Sequence, residues 1–154
     1  MIHGILVATD ASPAASSAVD LGADLAARYQ VDLSLLHVAR DMQLPSEVSG
    51  MSELKELATP RREAFQLVGQ RIITDARRRA EERGVAAVHT AVAEGDPATQ
   101  IINHAVARDV DLIVMGTRGL GQVKSMLLGS VSQKVINSTE ISCLVVKEAN
   151  PRSR

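Results

Sequence analysis

The chain predicts an α/β domain, a five-stranded, mainly parallel open sheet with helices on both faces. Three observations carry this. Short apolar runs alternate with helical patterns, turn or cap residues separate them, and residues 112–115 and 143–146 are apolar at every position. Strands of that last kind are covered on both faces, as in parallel sheets flanked by helices.

Gly4-Ile5-Leu6-Val7-Ala8-Thr9 is too short an apolar run for a helix and stops at Asp10-Ala11-Ser12-Pro13, a turn and cap signal, so it reads as the first strand. Behind it, Ala15, Ala18, Val19, Gly22, Leu25, Ala26 and Tyr29 recur at helical spacing, with Ser12 as N-cap and Pro13 at the first helical position. Residues 31–38 (VDLSLLHV) form the second strand. Residues 40–59 are polar, with Pro45 and Gly50, and predict a loop or a short, weak helix.

Thr59-Pro60 opens a long helix with Phe65, Val68, Ile72, Ala76 and Ala80 on one face and Gly84 just past its end. Its Arg77-Arg78-Arg79 run reads as a solvated face linked to Asp75, Glu81 and Glu82. Residues 86–93 follow as the third strand. Gly95-Asp96-Pro97 caps a helix carrying Ile101, Ile102, Ala105 and Val106, and residues 111–115 make the fourth strand. Ser130-Val131-Ser132-Gln133 has the form of a capping box and leads into a short helix with Val135 and Ile136. Residues 142–147 are the fifth strand.

A length of 154 residues, 45 % of them hydrophobic and 23 % charged, fits a single domain over residues 1–148 with a tail at 149–154. The net charge of −1 supplies no basic field for nucleic acid, and Tyr29 and Phe65 are too few aromatics for base-stacking platforms. The lone Cys143 reads as a buried strand residue. His3, His37, His89 and His104 show no paired spacing for a metal and read as structural or surface residues. With no leader-type segment and no run long enough to span a bilayer, the expected location is cytoplasmic, with no membrane insertion.

Open α/β sheets bind ligands at the carboxyl edge where strand order reverses. In a Rossmann-like or flavodoxin-like sheet of order 3-2-1-4-5 that crevice lies between strands one and four. The segments leaving those strands are Thr9-Asp10-Ala11-Ser12-Pro13 and GTRGLGQVKSMLLGS, residues 116–130. Glycines there suit tight turns and close approach of backbone to a ligand. The stretch is neither a Walker loop, since Gln122 follows Gly121, nor GxGxxG, since Lys124 takes the last glycine's place.

Gly116-x2-Gly119-x9-Gly129-Ser130 matches without a gap the pattern of the ATP-binding branch of the universal stress protein family, which the chain resembles. The resemblance extends to residues 5–12, to Leu35-Leu36-His37-Val38, to Gly95-Asp96-Pro97-Ala98 and to residues 143–146. It implies that Asp10, with the backbone of Thr9, meets the ribose or the metal-phosphate region, and that Val38 contacts adenine. Met115, Gly116 and Gly119 would follow the nucleotide, and Gly129, Ser130, Val131 and Ser132 would hold its phosphates. Arg118 and Lys124 read either as surface charge or as cations that neutralise a triphosphate.

The implied cofactor is ATP with Mg²⁺ or Mn²⁺. The implied role is nucleotide-dependent regulation in stress adaptation, through an unidentified protein partner, with a homodimer formed by the last strand between Ile141 and Lys147. A slow ATPase or a nucleotidyl-transfer enzyme of the same architecture is the alternative. Neither a HIGH-type motif nor an SGGxDS loop is present, and a phosphoacceptor receiver domain is set aside because Asp10 stands without an acidic neighbour.

Overall fold

The structure is a computed structural model that describes residues 1–40, 52–117 and 128–149. The elements follow in the order β1 (Gly4–Ala8), α1 (Pro13–Tyr29), β2 (Asp32–Ala39), α2 (Ser52–Glu82), β3 (Val88–Glu94), α3 (Pro97–Ala107), β4 (Leu112–Gly116), α4 (Ser130–Ser138) and β5 (Ser142–Val146). The five strands pair in parallel in the order β3-β2-β1-β4-β5. Ile5 faces both Leu33 and Leu112 across the ladder, which sets β1 at the centre.

Side chains alternate between the two faces of a strand, and here each face has its own core. Ile5, Val7, Leu33, Leu35 and Val114 pack under α1 and α2 with Val19, Ile73 and Ala76. Leu6, Leu36, Ile113 and Met115 pack under α3 and α4 with Ile101 and Val135. That double coverage is why the central strands β1 and β4 carry no polar alternation. Arg79 reaches Asp20 of α1 through two hydrogen bonds of 3.0 and 2.6 Å, while Arg77 and Arg78 pair with Glu81, Asp75 and Glu82 on their own helix. Cys143 is half-buried in β5, and burial pushes its thiol up from the ordinary range.

Two expectations about α2 are corrected. The helix begins at Ser52, so Thr59-Pro60 does not open it. The segment Glu53-Leu54-Lys55-Glu56-Leu57 consists of strong helix formers, and the helix continues through Pro60 although proline supplies no backbone N–H there. The expected apolar face also divides. Ala76 and Ala80 enter the core with Ile73, whereas Phe65 and Val68 are 41 % and 56 % exposed. Helix length explains the division. The 31 residues of α2 reach about 46 Å at 1.5 Å per residue, far longer than any strand. Arg62 already stands level with Glu94, the last residue of β3, bonding it at 2.8 Å, so the helix overshoots the sheet at its carboxyl edge.

Candidate functional site

Three chain segments meet at that edge. After β1, the Thr9 amide bonds the Leu36 carbonyl at 2.9 Å, and the Asp10 carboxylate accepts the Ser12 amide at 3.0 Å. Ser12 in turn caps α1 by accepting the Ala15 amide at 3.2 Å. This turn holds Ala11 at φ 63°, a left-handed conformation that costs an alanine about 1–2 kcal/mol. Asp10 therefore shapes the loop whatever else it does.

After β4, the Thr117 amide bonds the Val146 carbonyl at 2.8 Å, and the Thr117 carbonyl accepts the Gly129 amide. Thr117 and Gly129 are thus held side by side. The buried Ser132 hydroxyl donates to the Gly116 carbonyl at 2.8 Å and ties the start of α4 to the end of β4. Gly116 does not have a positive φ. A Cβ there would lie 2.7 Å from the Ala15 nitrogen and 2.8 Å from the Ala14 carbonyl carbon, so glycine is required for α1 to rest on β4. That requirement is met by the fold alone, before any ligand is considered.

The expected capping box at Ser130 is not formed. Gly129 takes the cap position with extended backbone, φ −74° and ψ 158°, and no side chain caps the helix. Ser130 is the first helical residue instead. The Gln133 amide bonds the Gly129 carbonyl at 3.0 Å, which leaves the first-turn amides of Ser130, Val131 and Ser132 outside the helical ladder. Such a start attracts anions through its N–H groups and the helix dipole.

Around these segments lies a cleft of about 440 Å³. Thr9, Asp10, Val38, Met115 and Gly116 line it, and so do Gly129, Ser130, Val131 and Ser132. Arg118, Gly119 and Lys124 lie outside the described residues. Asp10 is the acid on the cleft wall among the described residues, and no group of three His, Cys, Asp or Glu side chains there could hold a metal by itself. One carboxylate fits a Mg²⁺ or Mn²⁺ ion that takes its other ligands from phosphate and water.

The remaining wall was not foreseen. Phe65, Val68 and Ile72 of α2, Pro97 and Ile101 of α3, and His37 and Arg40 at the end of β2 also line the cleft. The helical spacing of Phe65, Val68 and Ile72 is plain in the sequence, but only the length of α2 against the sheet turns that face toward the edge. His37 is buried, as a structural histidine is expected to be, with its Nδ1 2.8 Å from the Thr9 carbonyl oxygen, and it also borders the cleft. It follows Leu36 and precedes Val38 at the end of β2, where neighbouring residues face opposite sides of the sheet, so its ring packs toward Gly69 of α2 while Val38 packs on the α3 and α4 side.

Compared with known proteins, residues 1–147 match the Universal stress protein family. The chain is 38 % identical over 149 residues to Universal stress protein YxiE of Bacillus subtilis, covering 96 % of this chain and 100 % of that one. Among solved structures it is similar to Universal stress protein UspA from Lactobacillus plantarum, with a TM-score of 0.82 at 22 % identity over 94 % of this chain and 97 % of that one. It is also similar to a universal stress protein solved in complex with cAMP, with a TM-score of 0.69 at 22 % identity over 96 % and 98 % of the two chains. At that identity the two structures bear on the fold.

Proposed function

Because the chain belongs to the universal stress protein family, we propose that it is an ATP-binding regulatory module of the stress response, which changes its loops or its protein partner with nucleotide occupancy. The observation that carries this reading is the start of α4 without a side-chain cap, whose residues Ser130, Val131 and Ser132 border a cleft that Val38, Phe65, Val68 and Ile72 also line. Phosphate suits the first feature and a base the second. A volume of about 440 Å³ is of the size that small-molecule sites commonly have.

On this reading Gly129, Ser130, Val131 and Ser132 hold the phosphates, Asp10 and the Thr9 backbone meet the ribose or the Mg²⁺ or Mn²⁺ ion, and Val38 meets adenine. Met115, Gly116, Arg118 and Gly119 line the path between. The complex of a related protein with cAMP supports an adenine nucleotide as the ligand class. Dimerisation through β5 joins the reading, because β5 pairs with β4 on one side only and ends the sheet. The proposed location is the cytoplasm, and among the described residues no helix is long and apolar enough to cross a membrane.

Calorimetry with ATP, AMP and cAMP in the presence of magnesium, together with mass spectrometry of co-purifying nucleotide, tests the reading. The expected outcome is saturable binding of one ATP per chain. Failure of every adenine nucleotide to bind folded protein would overturn it.

A further inference from the structure

The stretch of α2 that walls the cleft stands between two open spaces. From Arg62 to Gln70 every residue is exposed apart from Gly69, and the side chains that α2 buries in the core begin at Ile73. Phe65 and Val68 face the cleft on one flank. On the other flank a groove of about 550 Å³ opens between Leu67 and Gln70 of the helix and Val92 of β3. Packing on neither flank fixes where this stretch stands.

Gly69 is where its backbone bears on the sheet. A Cβ there would come within 3.0 Å of His37 Cδ2 and of Val92 Cγ1. Toward the N-terminus from that point, among the described residues, the helix is tied to the sheet through Glu94, the last residue of β3. Arg62 grips this carboxylate with two nitrogens, Nε to Oε1 at 3.1 Å and Nη2 to Oε2 at 2.8 Å, and Gln66 Nε2 donates to Oε1 at 2.9 Å from one turn further on. The bonds from Arg62 and then Gln66 hold the carboxyl below the ordinary carboxylate range. Exposed ion pairs commonly contribute little, and the bidentate arginine–carboxylate geometry seen here is the exception.

We propose that Glu94 is a positioning residue for the cleft: its grip on Arg62 and Gln66 fixes the wall made by Phe65 and Val68, and without it residues 62–70 pivot about Gly69. The inference rests on the nucleotide reading given above for the ligand, and on the placement of α2 for the wall. A wall fixed in advance spares the ligand the cost of ordering it on binding. Loss of the latch therefore shows in affinity more than in stability, since the residues it holds are already exposed and the core contacts of α2 start beyond them.

The experiment uses the full chain with Cys143→Ser and nitroxide labels at Leu67→Cys and Val106→Cys, two exposed positions on α2 and α3. Pulsed electron spin resonance reads the distance distribution between the labels, and calorimetry on unlabelled protein reads ATP binding with magnesium present. With Glu94 in place the empty protein is expected to give one narrow distribution. Glu94→Ala should broaden it and weaken ATP binding about fivefold, the scale of a well-formed exposed pair. Saturating ATP should narrow it again. Exchanging the partners, Arg62→Glu with Glu94→Arg, should restore the narrow distribution and return ATP affinity to within about twofold of wild type.

An unchanged distribution or an unchanged ATP affinity in Glu94→Ala would overturn the assignment, and so would an exchanged pair that behaves no better than Glu94→Ala. If Glu94→Ala does not fold, Arg62→Ala breaks the same pair from the helix side and takes its place. A wild type that binds no ATP overturns the nucleotide reading instead. The distances then decide the latch by themselves: it stands if the distribution broadens without Glu94 and falls if it does not.

Discussion

Helices α3 and α4 both begin at the carboxyl edge of the sheet, and both first residues, Pro97 and Ser130, line the cleft. Their starts are nevertheless opposite in kind. Ahead of α3, the Asp96 carboxylate accepts the Thr99 amide at 2.9 Å and the Thr99 hydroxyl at 2.6 Å, and it also takes Lys134 at 3.0 Å. Pro97 removes one further N–H from that turn. Ahead of α4 stands Gly129, with no side chain to offer. A helix dipole acts at both places, but the side-chain cap that takes the Thr99 amide at α3 has no counterpart at α4. On the proposed reading, the difference teaches that the phosphate site is made by leaving a cap out.

Putting the cap back is the strongest way to break this comparison. At φ −74° and ψ 158°, position 129 has the backbone an N-cap aspartate prefers. In Gly129→Asp the new carboxylate would take the first-turn amides and place negative charge where phosphate is proposed to sit. ATP affinity is expected to fall about a hundredfold, the scale of losing hydrogen bonds to a charged group, while the thermal midpoint holds or rises. Calorimetry beside a melting curve checks both. If the variant binds ATP as the wild type does, the open start of α4 has no bearing on binding.

Seen from the sequence, the closed helix start was the easier of the two to read. Asp96-Pro97 is a cap signal that needs no tertiary context, and Ser12-Pro13 ahead of α1 is another; both formed as expected. Ser130-Val131-Ser132-Gln133 looked equally like a capping box, yet the helix starts one residue earlier than a Ser130 cap allows. Local sequence cannot decide between a cap at 129 and one at 130, because the bonds that fix it run from Gly129 to Thr117 and from Ser132 to Gly116, across the fold. The five strands and the two-sided coverage of the sheet were legible from apolar runs and spacing, whereas the strand order came only with the expected fold class. The α2 wall was not, since Phe65 faces the cleft only because the helix outruns the sheet.

Gly116 sharpens the comparison from the other side, with a smaller effect. Its glycine pattern was read as an allowance for a close ligand, but the atoms a Cβ would strike belong to the Ala14-Ala15 backbone, which cannot swing aside as a side chain can. Gly116→Ala is expected to destabilise the fold by about 1–3 kcal/mol in urea denaturation, in the range of overpacked cores. Weaker ATP binding by that variant would follow from a displaced α1 and would say nothing of phosphate contacts. Destabilisation of less than about 0.5 kcal/mol would instead return Gly116 to a purely ligand-facing role.

The closed start of α3 supplies the smallest effect and the most exacting control. Hydrogen bonds from Thr99, through both its hydroxyl and its amide, hold the Asp96 carboxyl down to about 2, with Lys134 adding to the shift. A depressed carboxylate pKa means that its stabilising contribution is complete above the ordinary value of 3.8 and is lost as pH falls toward 2. Asp96→Ala should therefore melt below wild type by a constant interval from neutrality to about pH 4, and the two curves should converge between there and about pH 2. ATP affinity at neutral pH should stay within about twofold, because Pro97 still withholds an amide and α3 cannot become a copy of α4. A large gain in ATP affinity on removing Asp96 would mean that any uncapped helix start on this cleft can serve phosphate, and the choice of α4 would then rest on Gly129 alone rather than on the geometry that surrounds it.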